Sequence, residues 1–191
     1  TSLYINKTKV ISGRFYMVKE TGGRAELLLV EPIEPSNDPQ IALQATKTAV
    51  WKAIIGGKRI KVGAILEDIN GQLAAEVLEK EDNEVKVRLT WEYGTFSELL
   101  LNSGVLPLPP YLNRESEEAD KESYQTVFAK DDGSIAAPTA GLHFTDEILS
   151  KLKDKGIKIR ELTLHVGPGT FLPVCTDNVN EHKMHSEMFS I

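Results

Sequence analysis

The stretch AVWKAIIGGKRIKVGAILEDINGQLAAEVLEKEDNEVKVRLTW, Ala49 to Trp91, decides the fold. Its β-branched, aromatic or alternating runs, Ala49 to Ile55, Arg59 to Leu66, Gln72 to Leu78 and Val85 to Trp91, are separated by the turn pairs Gly56-Gly57, Asn70-Gly71 and Asp82-Asn83. Upstream, Arg14 to Val18 and Ala25 to Glu31 flank Gly22-Gly23 in the same way. Short runs with regular turn punctuation predict a small barrel or sandwich. Prolines 32, 35 and 39 predict that Pro32 to Gln40 leaves the sheet and crosses the surface, because proline cannot continue a central strand.

Beyond Trp91 the pattern changes. Thr95-Phe96-Ser97-Glu98 is a capping box, predicting a short helix to about Asn102 that ends at Gly104. Val105 to Tyr111 holds three prolines and reads as a stiff, extended crossing, and Asn113 to Glu122, rich in acids and without a hydrophobic pattern, as an exposed loop. Thr145 caps a second helix, with Asp146 and Glu147 in its first turn, Ile148, Leu149 and Leu152 on one face, late lysines and Gly156 beyond. Ile157 to Val166 follows as a strand whose alternation shifts phase, suggesting a bulge near Arg160 or Glu161. Strand, helix and strand in this order suggest an α/β unit after the β-rich part.

Composition bounds the function. The chain has 191 residues, 41% hydrophobic and 26% charged, which excludes disorder and fibrous architectures. Cys175 is the only cysteine, so no internal disulfide or multi-cysteine zinc site is available, and a reducing cytoplasmic setting is expected. No apolar run approaches a membrane span, and the first 20 residues lack the order of a signal peptide. Thr1 at the start and a polar, His-bearing end suggest a fragment or a processed chain. A formal charge of −6 argues against indiscriminate coating of nucleic acid. Two stretches run against that balance: residues 1–19 hold Lys7, Lys9, Arg14 and Lys19, and residues 41–65 hold Lys47, Lys52, Lys58, Arg59 and Lys61, neither with any acid. Brought together they would form a basic surface suited to a polyanion; apart they are two solvated faces.

All four histidines, His143, His165, His182 and His185, lie in the last 49 residues. His143 ends AAPTAGLH, residues 136–143, a run of small residues leading straight into the second helix. Small side chains admit a ligand to the backbone, and a helix start offers unpaired N–H donors to a carboxylate; a tight core-packed turn is the alternative. His165 precedes Val166-Gly167-Pro168-Gly169-Thr170, a rigid strand-end turn with room beside the backbone; the alternative is a hydrogen-bonded core histidine. The turn after His165 lacks the spacing of a dinucleotide fingerprint and the Lys of a Walker loop. His182 and His185, with Glu187 two residues on, share a face only on a helix. With His143 or His165 they could bind zinc, as a metal-dependent hydrolase would require; acid–base work or substrate hydrogen bonding is the other reading.

Five segments in one order then carry a resemblance: PLPPY (107–111), YQTVFAK (124–130), GSIAAPTAGLHFT (133–145), LHVGPGTFLPV (164–174) and HKMHSE (182–187). Together with NKTKV (6–10), Arg14 and ETGGRAELLLVE (20–31), they resemble the S-adenosylmethionine:tRNA ribosyltransferase-isomerase family of the queuosine pathway. The resemblance implies a discontinuous α/β domain, residues 1–11 and 105–191, with a small antiparallel β-barrel, residues 12–104, inserted in it. It implies a cytoplasmic, monomeric enzyme without a prosthetic group. S-Adenosylmethionine would be the co-substrate and tRNA carrying 7-aminomethyl-7-deazaguanine the acceptor. The implied reaction moves the ribosyl group onto the aminomethyl nitrogen and rearranges it to epoxyqueuosine, releasing adenine and methionine. Catalytic parts would fall to His143, His165, His182, His185 and Glu187, and the S-adenosylmethionine cradle to Pro138, Thr139, Ala140, Gly141, Gly167, Gly169 and Thr170. Lys47, Lys52, Lys58, Arg59 and Lys61 would hold tRNA phosphates. A non-catalytic RNA-binding barrel with an α/β cap is the competing reading. Lys7 departs from the pattern by standing where the family usually has Asp. The family's further C-terminal segments, T-T-x-x-R-T and N-F-H-L-P, are not among these residues, so the resemblance implies a fragment lacking part of the site.

Overall fold

Eleven strands and four helices follow one another along the chain in a computed structural model, which describes residues 1–171, 176–181, 184 and 186–191. The order is β1 (Ser2–Asn6), β2 (Thr8–Val10), β3 (Arg14–Lys19), β4 (Arg24–Glu34), α1 (Pro39–Ala42), β5 (Thr46–Gly56), β6 (Ile65–Asp68), β7 (Leu73–Glu81), β8 (Glu84–Thr95) and α2 (Phe96–Ser103). Then come α3 (Asp120–Ser123), β9 (Asp131–Ser134), α4 (Asp146–Asp154), β10 (Lys158–Leu164) and β11 (Phe189–Ser190). They form two compact units, Ile11–Pro107 and Thr1–Val10 with Leu108–Ile191.

The first unit is a closed antiparallel barrel in the order β3-β4-β5-β8-β7-β6, closed by pairing of β3 with β6. Alternation selects its interior: Phe15 and Met17 of β3, Leu27 and Leu29 of β4, and Val85, Val87, Leu89 and Trp91 of β8 are buried while Tyr16 faces out. α2 begins with the expected capping box, Thr95 Oγ1 accepting from Glu98 N and Glu98 Oε2 from Thr95 N. That start drives Phe96 between the rings of Trp51 and Trp91, at centroid distances of 5.5 and 5.0 Å. Removing such a buried ring costs about 3–5 kcal/mol. Gly104 ends the helix where a Cβ would run into Ser12 O and Leu100 O.

Two expectations for this unit need correction. Pro32 does not leave the sheet: β4 runs through it to Glu34, opposite Trp51, and only then does the chain turn away to α1. Register shifts between Leu29 and Glu31 and between Pro32 and Glu34 supply the bulges at which a residue without an N–H is tolerated. The run Arg59 to Leu66 is strand only from Ile65. Gly57, Arg59 and Gly63 take positive φ of 143°, 59° and 81°, which bend the backbone out of the ladder, and Ile60 turns inward as an anchor.

In the second unit the expected strand–helix–strand order is present, but β9 and β10 do not pair with each other. β10 lies parallel to β1 and antiparallel to β11, and β9 lies parallel to β2, so the first ten residues supply a partner to both. The register from Ser2↔Lys158 to Asn6↔Leu162 is unbroken, so β10 has no bulge at Arg160 or Glu161. The change of phase there marks Thr163, the buried residue of the strand, whose hydroxyl has a carboxylate to bond. Asn113 to Glu122 is not a bare loop either. Arg114 grips Asp120 through Nη1 and Nη2 at 2.6 and 2.7 Å, Glu117 N donates to the same carboxylate, and α3 starts there. The Arg114 hydrogen bonds hold the Asp120 carboxyl down at about 2. Among the described residues, no helix is long and apolar enough to cross a membrane.

Candidate active site

β1 ends at Asn6, and the Asn6 side chain continues its ladder. Asn6 Oδ1 accepts from Leu164 N at 2.9 Å and from Thr8 N at 3.2 Å, while Nδ2 donates to Leu164 O at 2.9 Å. An amide used as a third peptide group fixes the end of β10, and with it His165. Lys7 ion-pairs with Asp131 at 3.1 Å, and Thr163 Oγ1 donates to the same Asp131 oxygen at 2.6 Å. The Thr163 bond first, and Lys7 after it, hold the Asp131 carboxyl below the ordinary carboxylate range. The cation at position 7 thus has a defined partner. Beside this pair Lys130 meets Glu161 at 2.7 Å, which lowers the Glu161 carboxyl, while burial pushes the neighbouring Asp132 up despite Lys9 at 3.9 Å.

The His143 and His165 loops are stitched together at Val166. Val166 O accepts from Ile135 N and Ala136 N at 2.9 and 3.3 Å, and Val166 N donates to Ser134 Oγ at 2.8 Å. Thr8 joins them, with its Oγ1 2.6 Å from Ser134 Oγ and 3.2 Å from His165 Nδ1. Glu187 closes the far side: its Oε1 accepts from Gly167 N at 3.0 Å, and His165 N donates to Met188 O at 3.0 Å. Of the residues singled out in the sequence, His165, Gly167 and Glu187 therefore meet. Gly169 and Thr170 lie in a 3₁₀ turn, Pro168–Phe171, that follows directly.

The small-residue loop differs from expectation. It does not run straight into α4: Pro138 opens a 3₁₀ turn, Thr139–His143, and Phe144 stands between that turn and the Thr145 cap, whose Oγ1 accepts from Ile148 N. Thr139, Ala140 and His143 are exposed on it. Gly141 is small for packing, since a Cβ there would come within 2.7 Å of Thr126 Cγ2 and 3.1 Å of Phe128 Cζ. His182, His185 and Cys175 lie outside the described residues. Among the described residues, no group of three or more His, Cys, Asp or Glu side chains gathers as metal ligands. Thr8, Ser134 and Thr163 escape a reading of the sequence, where their one signal is a polar residue at a buried strand position.

The basic residues divide. Lys7 and Lys9 belong to the second unit and pair with acids there, while Arg14 and Lys19 belong to the barrel. Arg14 meets Glu26 at 3.0 Å and Lys52 meets Glu31 at 2.9 Å, a bond that raises the Lys52 ammonium pKa. Lys58, Arg59 and Lys61 are exposed on the bent β5–β6 connection, which Lys19 Nζ braces by donating to Lys58 O. Lys47 sits at a bulge, between Thr46 opposite Thr95 and Thr48 opposite Thr90, with φ of 71°. Its Nζ donates to Glu92 O and lies 5.8 Å from the Tyr93 ring centroid; Tyr93 is 80% exposed. Strand alternation would bury Tyr93 beside Trp91, and the bulge turns it outward.

Fold and site together define an α/β protein that carries an antiparallel barrel and has a hydroxyl–histidine cluster on its α/β side. The family model described as queuosine biosynthesis protein matches residues 1–191, and the chain belongs to that family. It is 43% identical over 190 residues to the S-adenosylmethionine:tRNA ribosyltransferase-isomerase of Aquifex aeolicus (strain VF5), covering 99% of this chain and 52% of that protein. To the protein of the same name from Staphylococcus aureus (strain JH9) it is 44% identical over 192 residues, covering 100% and 52%. The chain thus spans about half the length of these relatives.

Proposed function

We propose that this chain is part of an S-adenosylmethionine:tRNA ribosyltransferase-isomerase. The observation that carries the reading is identity of 43–44% along essentially the whole chain to relatives of that name. In this reading the ribosyl group of S-adenosylmethionine passes to the aminomethyl nitrogen of 7-aminomethyl-7-deazaguanine in tRNA. It rearranges to epoxyqueuosine, and adenine and methionine leave. The protein works in the cytoplasm as a monomer without a prosthetic group, with the barrel, residues 12–104, inserted in a catalytic domain made of residues 1–11 and 105–191.

That chemistry asks for a base at the acidified ribose carbon beside the sulfonium, a donor for the departing adenine, and a cradle for the methionyl carboxylate. His143 and His165 are assigned to the first two tasks. Support comes from the Val166 stitch, which draws their loops together. Pro138, Thr139, Ala140 and Gly141 on one side and Gly167, Gly169 and Thr170 on the other line the cradle. Glu187 acts through the Gly167 N–H it holds, and His182 and His185 orient substrate.

The barrel takes the tRNA backbone. Lys58, Arg59 and Lys61 are its main cations, Lys52 contributes less because Glu31 neutralises it, and Lys47 beside the open Tyr93 face suits a phosphate next to a stacked base. The test is adenine release from S-adenosylmethionine by a full-length enzyme carrying this sequence. Release only with tRNA bearing the deazaguanine precursor is expected; none with that tRNA overturns the reading.

A further inference from the structure

Two buried hydroxyls lie beneath the loop that ends at His143 with nothing to bond. Tyr124 is 7% exposed and Thr126 5%, and neither Tyr124 Oη nor Thr126 Oγ1 has a hydrogen-bond partner among the described residues. The Ala137 N–H lies beside the Tyr124 oxygen without completing a bond to it. Burial raises the Tyr124 pKa, so at neutral pH the phenol keeps its proton and is a donor without an acceptor. A buried hydroxyl left in this state costs stability, and native proteins keep few of them. Here two stand two residues apart, both against the segment assigned to the S-adenosylmethionine cradle.

The floor is fixed and its cover is not. Between the two hydroxyl residues Gln125 clasps β2: its Oε1 accepts from Val10 N and its Nε2 donates to Val10 O, both at 2.9 Å. The cover is the 3₁₀ turn Thr139–His143 with the two residues before it. Gly141 sits on Thr126, where a Cβ would come within 2.7 Å of Cγ2, and Phe144 meets Phe128 edge-on at 6.2 Å. From Ala137 to Phe144 the backbone hydrogen bonds among the described residues stay inside the turn, Gly141 N donating to Pro138 O and Phe144 N to Gly141 O. The turn can therefore lift from the floor without breaking a hydrogen bond to it. We propose that Tyr124 and Thr126 bind the methionyl carboxylate of S-adenosylmethionine, which takes both hydroxyl protons once the turn Thr139–His143 lifts. This rests on the function proposed above and names the side chains that make the contact within its cradle. Hydroxyl donors suit this end of the ligand: a carboxylate accepts from both through charge-assisted bonds, and the ammonium on the same carbon balances its charge, so no lysine or arginine is demanded.

The test titrates a full-length enzyme carrying this sequence, and its Tyr124→Phe and Thr126→Val variants, with S-adenosylmethionine and with decarboxylated S-adenosylmethionine, and reads the melting temperature of each free protein beside the affinities. Both substitutions keep the shape of the side chain and delete the hydroxyl. Each variant is expected to bind S-adenosylmethionine about tenfold more weakly and the decarboxylated form as the native enzyme does. Without ligand each should melt no lower than the native enzyme, because no hydrogen bond is lost there. Thr126→Ser, which keeps the hydroxyl, should hold the native affinity. A variant that melts lower when free, or does not fold, shows that its hydroxyl is bonded within the protein, through water or otherwise, and overturns the proposal. A folded variant with native affinity for S-adenosylmethionine, or one that weakens both ligands equally, overturns it as well. A native enzyme that binds neither ligand would instead overturn the function on which the assignment rests.

Discussion

Replacing Asn6 by Ala should loosen the second unit at the point where the site is built. The substitution removes three hydrogen bonds, from Leu164 N, from Thr8 N and to Leu164 O, and leaves those backbone groups at the end of β10 and the start of β2 without that partner. At about 1 kcal/mol each the gross loss is about 3 kcal/mol; because Asn6 is only half-buried, water recovers part of it, and about 2 kcal/mol is expected. For a chain of 191 residues that lowers the unfolding midpoint by about 4–8 °C. Thermal unfolding followed by circular dichroism reads it directly, with urea unfolding as a check on the free energy. Asn6→Asp keeps both acceptor roles and loses only the donation to Leu164 O, so it should cost less than Asn6→Ala. A loss below about 0.5 kcal/mol for Asn6→Ala, the range of ordinary surface changes, would refute the claim that this amide splices β1 to β10.

Three further outcomes follow from the charge map. Lys7→Asp sets two carboxylates against each other and should destabilise the chain, whereas Lys7→Asp with Asp131→Lys restores the pair; melting curves that place the double variant no higher than the single one would contradict the pairing. Reversing Lys58, Arg59 and Lys61 to Glu should weaken tRNA binding and cut its salt slope by roughly 0.7–0.9 for each phosphate no longer neutralised, with S-adenosylmethionine binding unchanged. Equal weakening of both would contradict a barrel role. The third concerns acid: the Asp120 carboxyl stands at about 2 in place of an ordinary 3.8, so its stabilisation is complete above pH 3.8 and disappears as pH falls through about 2. The melting difference between native protein and Asp120→Asn should close over that window, and a difference that does not change from pH 5 to pH 2 would contradict it.

What is legible in the sequence is local. Thr95 and Glu98 satisfy each other's backbone donors within one turn, Thr145 caps α4 by accepting from Ile148 N alone, and the pairs at Asn70-Gly71 and Asp82-Asn83 fall where Gly71 and Asp82 adopt positive φ. The barrel is legible for the same reason, since alternation needs only the strand itself. Pro32 misleads because its tolerance depends on bulges set by the register with β5, which the proline alone does not announce. Of the candidate site, the structure shows that the glycine-bearing segments that end at His143 and start at His165 are joined at Val166. Its detail is not legible in the sequence, because Thr8 meets Ser134 across 126 residues and Gly141 is required by Thr126 and Phe128, contacts for which no local spacing exists.

The most direct measurement is hydrogen exchange on a full-length enzyme carrying this sequence, with S-adenosylmethionine and then with precursor tRNA. Added S-adenosylmethionine should slow exchange in residues 137–143 and 166–170 and leave β3 to β8 unchanged, and tRNA should then slow exchange in residues 57–64. Exchange in residues 137–143 and 166–170 that S-adenosylmethionine does not alter would contradict the placement of the site where these two loops meet.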